Sequence, residues 1–161
     1  MRPADRRPHP GGPERAPEAA DLLRYIADTS AWVWAKRCPD DMAEFRDQVS
    51  RGQIGTCAPV VMELLYSARS HPEFERMRQE YGVLVSCPIG PREWERAIDI
   101  YAALAGRGAM HQRQVGHADL LIAVAAESAG VPVLHYDGDF DLITGVSGID
   151  TRWVRPQGSL G

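Results

Sequence analysis

Four acidic residues are placed where chemistry rather than solvation explains them best. Asp28 closes the apolar run Leu22, Leu23, Tyr25, Ile26, Ala27, and Asp137 closes a second run from Val131 to Tyr136. Glu63 interrupts the apolar helical stripe Val60, Val61, Leu64, Leu65, and Asp119 heads the most apolar stretch of the chain, Leu120 to Ala126. A carboxylate set among core residues is costly unless it is paired or binds a metal. Acids far apart in sequence are explained together if the fold gathers them around one cation. Oxygen-only ligands select Mg²⁺, with Mn²⁺ as a substitute, over Zn²⁺. Mg²⁺ takes one or two carboxylates directly and keeps several waters, which the remaining acids can hold. Such waters are candidates to attack a phosphodiester while the metal neutralises charge on the phosphate. Singly, each acid has a plainer explanation. Asp28 and Asp137 suit strand-end turns, Asp119 complements a helix dipole, and Glu63 could face a buried Arg.

The elements that must position these acids are legible in the apolar periodicity. A strand ending at Asp28 leads into a helix capped by Thr29 and Ser30. Pro39 opens a polar helix that ends near Gly52; Gln53 to Cys57 reads as a strand; Pro59 begins the helix that carries Glu63. A helix over 72–81 carries Phe74 and Met77, and Val83 to Cys87 reads as a third strand. From Pro91 to Ala105 the residues Trp94, Ile98, Tyr101 and Leu104 recur at helical spacing and predict the core-facing stripe. A polar loop from Gly106 to Gly116 precedes the Asp119 helix, which Gly130 stops. The strand Val131 to Tyr136 runs into the turn Asp137-Gly138-Asp139-Phe140-Asp141, and Thr151 to Val154 forms the last strand. Strands alternating with helices predict an α/β fold: a three-layer α/β/α sandwich with a mainly parallel central sheet. Open parallel sheets bind ligands beyond the carboxyl ends of their strands, where Asp28 and Asp137 fall.

The 161 residues suffice for one domain. Residues 1–20, rich in Pro and Arg, form an expected disordered extension; 21–156 form the domain; 157–161 form a flexible tail. A net charge of −4 argues against a non-specific polyanion binder but permits a local basic rim. Among the cations Arg dominates, Lys36 being the single Lys. Cys38, Cys57 and Cys87 have neither a disulfide framework nor zinc-ligand spacing and read as free thiols in a reducing compartment. With no apolar span and no secretory h-region, a cytoplasmic protein without a membrane partner is expected.

The string Tyr25-Ile26-Ala27-Asp28-Thr29-Ser30-Ala31 resembles the opening motif of PIN-domain nucleases. Pro59-Val60-Val61-Met62-Glu63-Leu64 resembles their second motif, Gly116-His117-Ala118-Asp119-Leu120-Leu121-Ile122-Ala123 the third, and Leu134-His135-Tyr136-Asp137-Gly138-Asp139-Phe140 the fourth. Order and spacing agree over 22–155, and the nearest resemblance is to the VapC toxins of type II toxin–antitoxin systems. The resemblance implies a Mg²⁺-dependent endoribonuclease that cuts structured RNA, tRNA or ribosomal RNA. It also implies a homodimer silenced by a VapB-type antitoxin whose tail covers the active-site groove. On that basis Asp28 and Asp119 are the direct metal ligands, and Glu63 and Asp137 complete a catalytic quartet. Asp139 stands in reserve for Asp137, and a hydroxyl of Thr29 or Ser30 lies beside the site.

Around these motifs several readings stay open. Arg107, His111 and Arg113 could meet RNA phosphate or bases, or belong to a solvated connector. His117 could face a phosphate or bond to backbone, and Trp32 and Trp34 could be core or partner contacts. The acidic turn mimics an EF-hand opening, but Leu142 and Gly148 stand where that loop needs Gly and Glu. A nucleophilic-Asp phosphatase lacks its DxDxT, a phospho-receiver lacks a lysine late in the chain, and GxSxG, HExxH and P-loop motifs are absent. The rival to an enzyme is a PIN-like RNA- or protein-binding module that does not cleave.

Overall fold

In a computed structural model, residues 18–159 are described. Five strands, β1 (Tyr25–Ala27), β2 (Ile54–Thr56), β3 (Val85–Ser86), β4 (Val133–His135) and β5 (Thr151–Trp153), form one sheet in the order β3-β2-β1-β4-β5. Every pairing is parallel, so the sheet is wholly parallel where a mainly parallel one was expected. Among the described residues eight α-helices accompany it: α1 (Ala19–Leu22), α2 (Thr29–Arg37), α3 (Pro39–Ser50), α4 (Ala58–Tyr66), α5 (His71–Tyr81), α6 (Pro91–Gly106), α7 (His117–Ala129) and α8 (Asp139–Ser147).

Alternation along the strands sorts the core into two faces. Tyr25 and Ala27 of β1 and Leu134 of β4 join Ala31, Trp34 and Phe45 beneath α2 and α3. Ile26 and Val133 point the other way, into the larger core formed with α4 to α8. Helix α7 packs there against β1 and β4, and α2 and α3 pack on the opposite face. Leu120 to Ala126 of α7 are all buried, and Gly130, in the left-handed region at φ 69°, ends that helix as its position predicts. The three-layer sandwich therefore stands.

The chain lays β1, β2 and β3 outward in one direction, then returns to place β4 and β5 on the other side of β1. The switch point of the sheet thus lies between β1 and β4, whose carboxyl ends carry Asp28 and, two residues beyond His135, Asp137.

Four expectations need correction. The first strand begins at Tyr25, not Leu22, because Leu22 ends α1 and is exposed. Helix α1 reaches back to Ala19, inside the segment assigned to the extension; residues 1–17 and 160–161 lie outside the described residues. On α6 the core-facing residues are Ala97, Ile100 and Leu104, while Trp94 and Ile98 are exposed. The stretch after Asp137 is not a plain turn but opens α8, which seats Phe140 and Ile143 in the core. Among the described residues no helix is long and apolar enough to cross a membrane.

Candidate active site

Asp28 is the N-cap of α2: its side chain accepts the Ser30 N–H at 2.9 Å, so Thr29 and Ser30 are the first residues of the helix rather than its caps. The Ser30 hydroxyl donates to the same oxygen, Oδ2 of Asp28, and accepts the Tyr136 N–H at 2.9 Å. Ser30 therefore ties the carboxyl ends of β1 and β4 together across the switch point. The backbone repeats the tie, since the Asp28 N–H donates to the Leu134 carbonyl at 2.9 Å. Asp28 itself is buried.

Asp119 is the third residue of α7, where its Oδ2 accepts the Gly116 N–H at 3.2 Å. Its carboxyl pKa is pushed up to about 7, first by burial and then by the carboxylates of Asp28, Asp137 and Asp139; the Gly116 N–H opposes them. Asp139 is raised in its turn by burial and by Asp137. Asp137 Oδ1 accepts the Asp139 N–H at 3.0 Å, which fixes the two acids relative to one another. Three segments of the chain thus bring Asp28, Asp119, Asp137 and Asp139 within electrostatic reach.

Glu63 takes a different position. It is exposed on α4, away from buried Val60 and Leu64, so it does not interrupt the core stripe and needs no buried Arg. The Thr29 hydroxyl donates to its Oε2 at 2.6 Å. Through Thr29 it stands at the outer edge of the cluster, one residue from Asp28. Asp28 and Glu63 also act on Cys57, the N-cap of α4: burial first, then Cys87, Asp28 and Glu63 push this thiol up to about 12 against a backbone bond from Val60. Burial likewise raises Cys87. All three cysteines are free, with Cys38 only half-buried. In native protein at pH 8, a thiol reagent should modify Cys38 at once and leave Cys57 and Cys87 until the protein unfolds. Rapid modification of all three without denaturant would contradict the packing.

Each acid engages a protein donor through one oxygen and leaves the other outside those bonds. Among the described residues no three His, Cys, Asp or Glu side chains are drawn into a ready-made cage. The donor set, oxygen only, fits a hard divalent ion.

The loop residues are placed as follows. Arg107 donates to the Gly145 carbonyl and so braces α6 against α8. His111 and Arg113 lie on a 3-10 turn, His111–Arg113. His117 packs its ring edge-on to Tyr101 at 5.5 Å. Trp34 is buried, and Trp32 is half-buried on a groove described below.

The sequence places the Ser30 hydroxyl beside the site but does not show its bridge to β4, and it gives no sign of a role for a second residue. His135, fully buried at the end of β4, accepts the Asp137 N–H on Nδ1 at 3.2 Å. Its signal was alternation: two residues after buried Val133, it had to face the core. Burial holds its pKa below the ordinary value, against the pull of the Asp141, Asp28 and Asp137 carboxylates. Removing the Ser30 bridge in Ser30→Ala should destabilise the protein by ~1.5–3 kcal/mol in urea unfolding, with Ser30→Thr restoring most of it. An unchanged midpoint in the alanine variant would show that the bridge carries no weight.

The sequence matches the PIN domain family over residues 25–146. It is 38% identical over 136 residues to Ribonuclease VapC18 of Mycobacterium tuberculosis, covering 84% of this chain and 98% of that one. It is 35% identical over 143 residues to Ribonuclease VapC51 of the same organism, covering 86% and 98%. The fold is similar to VapBC2 from Rickettsia felis, solved bound to a DNA fragment from its promoter, with TM-score 0.62, 14% identity, and 83% and 100% of the two chains covered. It is also similar to DNA-bound VapBC from Salmonella typhimurium, with TM-score 0.59, 21% identity, and 81% and 98% covered. With the acids of all four motifs grouped at or beside the switch point of a parallel sheet, and with relatives matched over nearly their full length, the chain belongs to the PIN-domain family, within its VapC group.

Proposed function

We propose that this protein is the toxin of a VapBC-type pair, an endoribonuclease that hydrolyses phosphodiester bonds in structured RNA, tRNA or ribosomal RNA. Asp28 and Asp119 hold Mg²⁺, or Mn²⁺ in its stead, with Asp137, Asp139 and Glu63 completing the acidic set. The observation that carries this reading is the gathering of Asp28, Asp137 and Asp139 about Asp119, whose affinity for a proton is raised first by burial and then by those three carboxylates. A site that concentrates negative charge around one half-buried acid is a site that favours a cation.

A divalent ion bound there would neutralise charge developing on the scissile phosphate and acidify a water for attack. The chain supplies position. Ser30 locks the Asp28 carboxylate to the start of the β4 turn, and Gly116 holds one oxygen of Asp119. The hydroxyl of Thr29 links Glu63 to the residue next to Asp28. With its pKa at about 7, Asp119 carries a proton part of the time at neutral pH, so a cation held there would displace that proton.

Exposed apolar surface supports the partners of this reading. Trp94 and Ile98, with Tyr101, Leu120 and Leu121, line a shallow hollow of about 220 Å³ on α6 and α7, and this is the face we assign to a homodimer. A groove of about 450 Å³ between α2, α3 and α5 has Trp32, Phe45, Met77 and Tyr81 on its walls and none of the four motif acids, and it suits an apolar segment of a VapB-type antitoxin. The free thiols suit the cytoplasm.

The test is cleavage of purified tRNA and ribosomal RNA by the purified chain. Cleavage should occur with Mg²⁺, stop with EDTA and resume with excess Mg²⁺. Cleavage indifferent to EDTA would sink the metal-dependent reading, and RNA bound but never cut would favour a binding module.

A further inference from the structure

His135 is a polar residue in an apolar place. Its ring lies 4.8 Å from that of Phe140 and 4.9 Å from that of Trp153, with no exposed surface. Nδ1 accepts the Asp137 N–H at 3.2 Å. A neutral imidazole that accepts at Nδ1 carries its proton on Nε2. Nε2 is buried and has no hydrogen-bond partner. An apolar side chain would fill this space without stranding an N–H, so packing alone does not account for histidine here. What an apolar side chain would not do is accept the Asp137 amide.

That amide opens the turn on which two acids depend. Asp137 Oδ1 receives the Asp139 N–H, and the preceding amide, of Tyr136, donates to Ser30. The turn is therefore held from two sides, by Ser30 from α2 and by His135 from β4. We propose that His135 is a positioning residue: by accepting the Asp137 amide it fixes the turn that directs the Asp137 and Asp139 carboxylates toward Asp28 and Asp119, and so sets the affinity of the site for a divalent cation. The cation half of this proposal rests on the reading given under Proposed function; the hold on the turn does not.

Two substitutions separate positioning from packing. His135→Phe keeps a ring of similar shape and removes the acceptor. His135→Asn gives up the ring but keeps an acceptor, since its Oδ1 is bonded to Cγ as Nδ1 is. Three quantities are measured on each full-length variant: the thermal midpoint, hydrogen exchange at the Asp137 amide in metal-free protein, and Mn²⁺ affinity by electron paramagnetic resonance. The phenylalanine variant should melt at or above wild type, yet exchange the Asp137 amide ~10-fold or more faster. It should also bind Mn²⁺ ~10–100-fold more weakly. The asparagine variant should melt lower and still keep both amide protection and Mn²⁺ affinity close to wild type. A phenylalanine variant that retains protection and affinity overturns the proposal. So does an asparagine variant whose affinity falls in step with its midpoint. If wild type itself binds no Mn²⁺, the cation half falls with the earlier reading, and amide exchange still decides whether His135 holds the turn.

Discussion

Replacing Asp119 by asparagine should abolish RNA cleavage while making the metal-free protein more stable above neutral pH. The two effects have one cause. In the folded chain the Asp119 pKa stands at about 7 against an ordinary value of 3.8, through burial and then the carboxylates of Asp28, Asp137 and Asp139. A folded-state pKa raised above the unfolded one means that the folded state holds more protons between the two values. Stability from this group is therefore complete below about pH 4, falls as pH rises toward 7, and stays low beyond it. Asparagine carries no charge and removes that decline. The full gap corresponds to about 4 kcal/mol, and because the carboxylate is only half-buried the realised gain at pH 8 should be nearer ~1–2 kcal/mol. At pH 4 the variant and wild type should unfold alike. The activity loss should be ~10³-fold or more, since on the proposed reading several kcal/mol of transition-state charge stabilisation would go with the ion. Urea unfolding at pH 4 and pH 8 without metal, beside an RNA cleavage assay with Mg²⁺, checks both. A variant that loses stability at pH 8 would show that Asp119 is held by favourable bonds rather than strained by its neighbours. Equal cleavage by wild type and variant would point to a contaminating nuclease.

Truncating Phe140 to alanine should give the largest loss of stability among single substitutions at the site. Phe140 has no exposed surface, packs at 4.8 Å on the His135 ring, and with Ile143 anchors α8 in the core. Removing so large a buried side chain costs about 3–5 kcal/mol, which for a chain of this size lowers the thermal midpoint by roughly 6–20 °C. The harm should not be confined to stability. Asp139 is the first residue of α8, so loosening the helix displaces an acid of the cluster. Leu142→Ala, at a half-buried position of the same helix, should shift the midpoint much less. A Phe140→Ala midpoint within 2 °C of wild type, far inside the range that cavity formation sets, would contradict the packing.

Much of this site is legible in the sequence because parallel strands buried on both faces announce where they end. Ile26-Ala27-Asp28 and Leu134-His135-Tyr136-Asp137 each pass from core to acid, and α7 shows its buried face as an unbroken apolar run. The misses have physical causes. Helix α8 carries two acids in its first turn and Thr144 and Gly145 in its body, so local propensity is weak and its stability comes from tertiary burial of Phe140 and Ile143. On α6 the periodicity is real but two stripes share it, and the sequence does not say which faces the core and which the exterior. The exposure of Trp94 beside buried Ala97 resolved that. Glu63 looked enclosed because its neighbours are apolar, although Met62 and Tyr66 on the same helix are exposed too. His135 was hidden because a buried histidine reads as core until its partner, the Asp137 amide, is seen.

Anomalous diffraction at the manganese edge, on crystals grown with Mn²⁺, tests the metal assignment most directly. A single strong peak, or a close pair, bonded to oxygens of both Asp28 and Asp119 is the expected map. No peak at that end of the sheet, or manganese bound only elsewhere on the surface, would contradict it.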